Sequence, residues 1–308
     1  MNTSPRIGIV GIGAMGLAMA RNLHRKGHAL CVRDIDPVAV AAAAALGIEA
    51  CDSPAALAAR CDVLIVVVVD AAQIDELLFG PDGVVHAAAA PRTAPHTAPR
   101  AEALAVLLCS TIAAHDTERF HARLATHAIA LVDAPISGGP VRAADGSMSM
   151  MLAGDAAVLE RLEPLLRDLA SKRFVIGAKP GDAARTKLVN NLLAGINLVA
   201  AAEAMALGAR LGLDQQLLFD VINASSGASW IGQDRMARAL VNDFEPRARA
   251  AILTKDVGLA VQMADAAGIE TRLGDAALSV FEATLAAGLG EQDDAAVIKA
   301  IWPGFRAV

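Results

Sequence analysis

Residues 7–16 read IGIVGIGAMG, an apolar run broken by glycines at 11, 13 and 16, after which apolar residues return with helical spacing at Met15, Ala18, Met19 and Leu23. The order is strand, tight turn, helix, and it constrains the fold more than any other stretch of the chain. In such a G-x-G-x-x-G turn the first glycine permits the bend and the second lets a pyrophosphate reach the main chain. The third lets helix and strand pack closely. The helix start adds free N–H groups and the positive end of its dipole. Gly11, Gly13 and Gly16, with Ala14 and Met15 at the helix start, are therefore candidate binders of a dinucleotide. Glycine-rich turns also arise for purely local reasons.

Asp34 favours the dinucleotide. It follows Gly11 by 23 residues, at the end of a second short strand, Ala29–Val32. An offset of about 20 is where a carboxylate meets the adenosine ribose hydroxyls. Such a carboxylate repels a 2′-phosphate, which points to NAD, whereas Arg33 beside it would accommodate that phosphate and keeps NADP open. The plainer alternative is a solvated Asp at a strand end.

The chain has 308 residues, enough for one large domain or two ordinary ones. A mean hydropathy of +0.46 raises the question of a membrane. The strongest uninterrupted apolar run, Val63–Val69, is seven residues long, and Leu192–Ala202 already contains Asn197. A span needs about 20 predominantly apolar residues, so no membrane partner is expected. The apolar residues after Arg6 belong to the glycine turn and its helix, not to a signal peptide. Cys31, Cys51, Cys61 and Cys109 show no C-x-x-C pairing and read as reduced core thiols of a cytoplasmic protein. A net charge of −6 without basic clusters argues against nucleic acid.

Short apolar runs alternate with helical patterns through the first half. Strands are expected at Ile7–Val10, Ala29–Val32, Val63–Val69, Val106–Cys109 and Ile129–Val132, and helices at Met15–Arg25, Val38–Leu46, Ala71–Leu78 and His115–Ala125. This rhythm predicts a parallel, doubly wound sheet with its ligand at the carboxyl ends of the strands. The Ala- and Pro-rich stretch HAAAAPRTAPHTAPRAEA, residues 86–103, reads as a mobile surface insertion. After Gly177 the pattern changes. From Asp182 to about Leu211 it is one long helix, apolar on most of its circumference, followed by helices near Gln215–Ala224, Thr254–Ala267, Arg272–Ala287 and Asp294–Ile301. The expected class is α/β: a doubly wound domain over residues 1–177, then an all-α domain over 178–308 that opens with the long linking helix.

Lys187 lies in that helix, with Asn190 and Asn191 three and four residues on, which puts the three polar groups on one face. A cation and two amides on a mostly buried helix are costly unless something polar binds there. A lysine whose pKa falls on burial suits proton transfer, although a lysine snorkelling at a domain edge would give the same spacing. Asp133-Ala134-Pro135-Ile136-Ser137-Gly138-Gly139 follows a strand, and its glycine N–H groups and serine hydroxyl could hold a carboxylate. A Pro/Gly turn explains the same composition. Ser110-Thr111-Ile112 and Lys255-Asp256 are individually unremarkable, and Trp230 reads as core more readily than as a pocket wall.

Taken in order, G-I-G-A-M-G at 11–16, D-A-P-I-S-G-G at 133–139, K-L-V-N-N at 187–191 and T-K-D at 254–256 resemble the β-hydroxyacid dehydrogenase family over nearly the whole chain. That family includes 3-hydroxyisobutyrate dehydrogenase and tartronate semialdehyde reductase. The resemblance implies a Rossmann domain joined to a helical domain, and proton transfer by Lys187. It also implies substrate carboxylate binding by Ser137, Gly138 and Gly139, orientation by Asn191, and cofactor contacts from Thr111 and Lys255. The stretches at 66–73, 78–84, 192–195, 203–207 and 227–230 lean towards the L-threonate dehydrogenase branch, which oxidises four-carbon sugar acids at the 2-hydroxyl. The Ala/Pro insertion departs from the family pattern, and Asn190-Asn191 follows the wider family more than that branch. The implied partners are an NAD cofactor (NADP open), a small hydroxy acid and a second or further copies of the chain as homodimer or homotetramer. A nucleotide-sensing protein without turnover is the reading outside enzymes.

Overall fold

The computed structural model describes residues 5–88 and 103–306. Most of the Ala/Pro stretch, residues 89–102, lies outside the described residues. The chain divides into two compact units, residues 1–187 and 188–308.

The first unit carries β1 (Ile7–Val10), α1 (Ala14–Arg25), β2 (Leu30–Arg33), α2 (Pro37–Ala44), β3 (Glu49–Ala50), α3 (Pro54–Arg60) and β4 (Val63–Val66). It continues with α4 (Ala71–Phe79), α5 (Val84–Ala88), β5 (Ala105–Leu108), α6 (Ala114–Ala125), β6 (Ala130–Asp133), β7 (Ile136–Ser137) and α7 (Gly139–Asp145). It closes with β8 (Ser149–Ala153), α8 (Ala156–Leu169) and β9 (Lys172–Gly177). Four of the helices start where a side chain accepts orphan N–H groups: Asp36, Ser53, Asp70 and Asp155 cap α2, α3, α4 and α8. The strands β1, β4 and β5 are buried along their whole length. They read as continuous apolar runs because both faces are covered by helices.

Six strands run parallel in the order β3-β2-β1-β4-β5-β6. Their register places Arg33, Val10, Val66, Leu108 and Asp133 in one row across the sheet. Whatever follows these residues in the chain therefore emerges at a common carboxyl edge. Beyond β6 the parallel expectation fails, because β8 pairs antiparallel with both β6 and β7. The seven-residue α7 returns the chain at the same end of the sheet, whereas a parallel neighbour requires a full crossover. Such a crossover, α8, then brings β9 in parallel to β8.

The strand expected over Val63–Val69 stops at Val66. Val68 N–H donates to Ser110 Oγ (2.9 Å) and Val69 N–H to Gln73 Oε1 (2.9 Å), so both amides leave the ladder. The four cysteines are free thiols, as expected, and Cys51, Cys61 and Cys109 are buried. Three of them meet beneath α3, where hydrogen bonding from Cys51 and Cys61 holds the Cys31 thiol well below its ordinary value.

The second unit contains most of α9 (Asp182–Arg210), then α10 (Gln215–Asn223), α11 (Trp230–Leu240), α12 (Ala250–Ala266), α13 (Arg272–Ala286), a 3₁₀ turn (Asp294–Ala296) and α14 (Val297–Ile301). Its core gathers Leu198, Ala202 and Met205 of α9 with Met236, Val257, Phe281 and Val297. A buried ion-pair cluster, Arg235 with Asp294 and Arg238 with Asp293, ties α11 to the 3₁₀ turn. By length and composition alone α9 is apolar enough to cross a membrane, with a mean hydropathy of 1.7 over its best stretch. Counting only uninterrupted runs overlooks this. Trp230 is not core: it opens α11 behind the Ser229 cap and is half exposed.

Candidate active site

The glycine turn sits at the end of β1, and the three glycines do three different things. Gly11 adopts φ +83°, and a Cβ there would lie 2.3 Å from the Val67 carbonyl oxygen. At Gly16 a Cβ would lie 1.9 Å from the Gly11 carbonyl oxygen, so helix and turn touch backbone to backbone. At Gly13 a Cβ would meet nothing within 4 Å. Gly13 is the N-cap of α1 without any side-chain capping bond, and the first turn of α1 carries no acidic residue. A pyrophosphate fits this arrangement: open space over the middle glycine, with the uncapped N–H groups of Ala14, Met15 and Gly16 at a helix start.

Asp34 follows Arg33 at the same edge. Its Oδ2 accepts the Ile12 N–H at 2.6 Å and its Oδ1 the Asp36 N–H at 2.9 Å. It is thus more than a solvated strand-end carboxylate, since it fastens the turn. A carboxylate offers about four lone-pair sites, so acceptor capacity remains for ribose hydroxyls.

Thr111 lies three residues beyond the end of β5 on the same edge, next to buried Ser110, whose Oγ binds the end of β4. The segment after β6 is pinned to the sheet: Ala134 N–H donates to Leu108 O (2.9 Å), Met151 N–H donates to Pro135 O (3.0 Å), and Ser137 pairs with Ser149. Gly138 (φ +125°) and Gly139 (φ +73°) then bend the chain into α7, whose start no side chain caps. Ser137 and the glycines are partly exposed.

Asp133 is the residue that sequence reasoning quoted without giving it a role. Only 2% exposed, it accepts the Gly181 N–H at 2.8 Å and the Ala184 N–H at 3.0 Å, both on one oxygen. Burial pushes its carboxyl up to about 6, against the opposing pull of the Ala184, Gly181 and Ala183 N–H groups. It therefore caps the start of α9 from a strand some 50 residues earlier, a contact no local sequence pattern signals. A second mooring comes from α6, where Glu118 pairs with Arg185 at 2.7 Å.

Lys187 stands one turn further along α9 and is 7% exposed. Asn191, a turn beyond, is buried as well, and its Nδ2 donates to Asp256 Oδ2 at 2.7 Å. Asp256 Oδ1 in turn pairs with Lys255 Nζ at 2.8 Å. Asn190 does not share the buried face as expected. It is exposed, because a step of three residues falls short of a full turn, and only its Nδ2 reaches back to Asn191 Oδ1 at 3.1 Å. Among the described residues no cluster suited to a metal ion is present.

An uncapped helix start behind a glycine turn, with a carboxylate closing the second strand of a doubly wound sheet, defines an NAD(P)-binding oxidoreductase domain. Residues 6–177 match the family model described as the NAD binding domain of 6-phosphogluconate dehydrogenase, and residues 181–301 match that described as NAD-binding of NADP-dependent 3-hydroxyisobutyrate dehydrogenase. The chain belongs to the β-hydroxyacid dehydrogenase family, in its 3-hydroxyisobutyrate dehydrogenase-like group, and is an NAD(P)-dependent hydroxyacid dehydrogenase. It is 38% identical over 296 residues to an L-threonate dehydrogenase of Escherichia coli K12, covering 95% of this chain and 93% of that one. It is also 38% identical over 303 residues to an L-threonate dehydrogenase of Cupriavidus necator, covering 98% of each. A crystal structure described as 3-hydroxyisobutyrate dehydrogenase from Salmonella typhimurium superposes with a TM-score of 0.85 at 37% identity, over 96% of this chain and 99% of that one.

Proposed function

We propose that the enzyme oxidises a four-carbon sugar acid, L-threonate, at its 2-hydroxyl, with NAD as the preferred cofactor. The observation that carries the mechanism is Lys187, an amine buried on a helix whose first turn is moored at two points, with a second buried polar group, Asn191, one turn away. The substrate is supported by the relatives named L-threonate dehydrogenase at 38% identity over nearly the full length.

Gly11, Gly13, Ala14, Met15 and Gly16 would hold the dinucleotide's pyrophosphate and Asp34 its ribose, while Thr111 and Lys255 are given to the cofactor on the family resemblance. When bound, the nicotinamide supplies an acceptor for the carbinol hydrogen and its electron pair. Ser137 Oγ and the backbone of Gly138 and Gly139 anchor the substrate carboxylate. This fixes which hydroxyl is presented. Lys187 Nζ takes the hydroxyl proton as the C–O bond becomes a carbonyl, and returns it in the reverse direction. Asn191, its amide held by Asp256, orients the acid. Holding the reacting groups in a near-attack arrangement supplies about 7–11 kcal/mol of the acceleration.

The reading includes a cytoplasmic location, no nucleic-acid or membrane partner, and a homodimer or homotetramer. The exposed apolar residues Val189, Leu193 and Leu207 on α9 support assembly. A second substrate reading, 3-hydroxyisobutyrate or tartronate semialdehyde, is favoured by the solved relative described as 3-hydroxyisobutyrate dehydrogenase. Steady-state kinetics with L-threonate, D-glycerate and 3-hydroxyisobutyrate, each with NAD and NADP, decide the matter. The expected outcome is the highest kcat/KM for L-threonate with NAD. A higher value for another acid overturns the substrate, and a tenfold preference for NADP overturns the role of Asp34 in favour of Arg33.

A further inference from the structure

We infer that Asp133 is a positioning residue for the dehydrogenase reaction: by accepting the first N–H groups of α9 it sets Lys187 in fixed register with the substrate-anchoring loop that Asp133 itself begins. This rests on the function proposed above. Asp133 stands four residues before Ser137, and the segment between them is tied to the sheet through Ala134, Pro135 and Ser137. On the other side, Ala184 stands three residues before Lys187 on a continuous helix. One carboxylate oxygen therefore joins the two functional segments across 2.8 Å and 3.0 Å, inside the first unit.

The chemistry of the contact argues for position over stability. Asp133 is nearly inaccessible, with Asp182 and the Cys109 thiol among its titratable neighbours, and burial outweighs the main-chain N–H groups that compensate it. Burying a carboxylate in such a place opposes folding, and a serine or asparagine following the chain at Gly181 would cap α9 without it. A local cap, however, would leave the helix free to shift against the loop. Only an acceptor borne by the strand fixes one against the other. Glu118 with Arg185 restrains the same turn from α6 but does not touch the loop.

The test compares Asp133→Ala and Asp133→Asn with wild type in the full-length enzyme. The readouts are kcat and KM for L-threonate, the Kd for NADH, and amide hydrogen exchange over residues 181–187. Asp133→Ala is expected to speed exchange at Gly181 and Ala184 at least tenfold and to lower kcat roughly 10- to 100-fold, with NADH affinity within twofold. Asp133→Asn, whose Oδ1 still accepts both N–H groups, should recover most of both. A residue that merely supports the fold would lower the melting temperature of Asp133→Ala and leave kcat per folded site unchanged, which overturns the proposal. Unchanged exchange at residues 181–187 overturns it too. Should Asp133→Ala fail to fold, Asp133→Thr carries the same expectations, its hydroxyl being too short to reach both donors. If the wild-type enzyme turns over no hydroxy acid, the functional reading fails separately. The positioning claim is then judged by acetic anhydride labelling of Lys187, which Asp133→Ala should change severalfold relative to the other lysines. Equal labelling in wild type and variant defeats it.

Discussion

Gly13→Ala and Gly16→Ala add the same methyl group three residues apart and should fail in opposite ways. At Gly13 the new Cβ meets nothing within 4 Å and the backbone, at φ −64°, is one that alanine adopts. Folding should be nearly unaffected. The entropic gain of replacing glycine, about 0.4–1 kcal/mol, offsets the poorer helix cap that alanine makes. The methyl would instead occupy the space a pyrophosphate needs. Forced overpacking of this kind costs about 1–3 kcal/mol, or roughly 5- to 150-fold in Kd for NADH. At Gly16 the Cβ would lie 1.9 Å from the Gly11 carbonyl oxygen, a backbone atom that cannot rotate away. The turn has to open, at about 3 kcal/mol or more, which lowers the melting temperature by roughly 6–12 °C. Thermal unfolding followed by circular dichroism, paired with NADH titration by fluorescence, separates the two. The reasoning fails if Gly13→Ala binds NADH with wild-type affinity, or if it unfolds as early as Gly16→Ala.

Lys187→Met keeps the bulk of the stem and removes the charge. It should lower kcat by about 10²–10⁴-fold while NADH binding changes little, and a variant retaining more than about a tenth of wild-type kcat removes Lys187 from proton transfer. Lys187→Arg should not restore activity, because a guanidinium does not release its proton near neutral pH. For Asp133, whose carboxyl is raised from 3.8 to about 6 in the folded chain, the protonated form is the one folding favours. Its contribution to stability is whole below pH 3.8 and is lost as pH rises through 6, up to about 3 kcal/mol. Urea midpoints at pH 4 and pH 7 should differ less in Asp133→Asn than in wild type, and an equal difference refutes the assignment. Ser137→Ala should raise KM for the acid with NADH affinity intact. It is a cleaner test than Gly138→Val, since Gly138 sits at φ +125° with Arg142 Cδ 2.9 Å from where a Cβ would be, so valine there strains the loop itself.

What the sequence made legible follows from how local each feature is. The glycine turn, β1 and α1 declare themselves because backbone approach, burial and helical period all fall within twenty residues. The parallel half of the sheet is legible for the same reason, as each strand is a buried apolar run. The antiparallel entry of β8 was not, since it depends on where α7 returns the chain. Helix α3 escaped notice because its four alanines carry little periodic contrast, and α8 contains Pro164 inside its length. In the candidate site, Lys187, Asn191, Ser137 and the glycines could be picked out as residue types in a motif. The partners that hold them could not: Asp133 reaches Ala184 across 51 residues, and Asn191 reaches Asp256 across 65. Such contacts are properties of the folded chain.

On the proposed reading Asp34 carries two duties on one carboxylate, and this limits how the enzyme could change its cofactor. Its oxygens already hold the Ile12 and Asp36 N–H groups, so on the proposed reading the ribose takes what acceptor capacity is left over. A substitution that makes room for a 2′-phosphate therefore also releases the turn that carries the pyrophosphate. Redesign from NAD towards NADP would need a second change, one that supplies a new acceptor for the Ile12 N–H, before any gain from Arg33 could register. Cofactor choice in this chain is an architectural commitment rather than a label at the rim of the pocket, and an evolutionary path between the two cofactors must pass through a loosened turn.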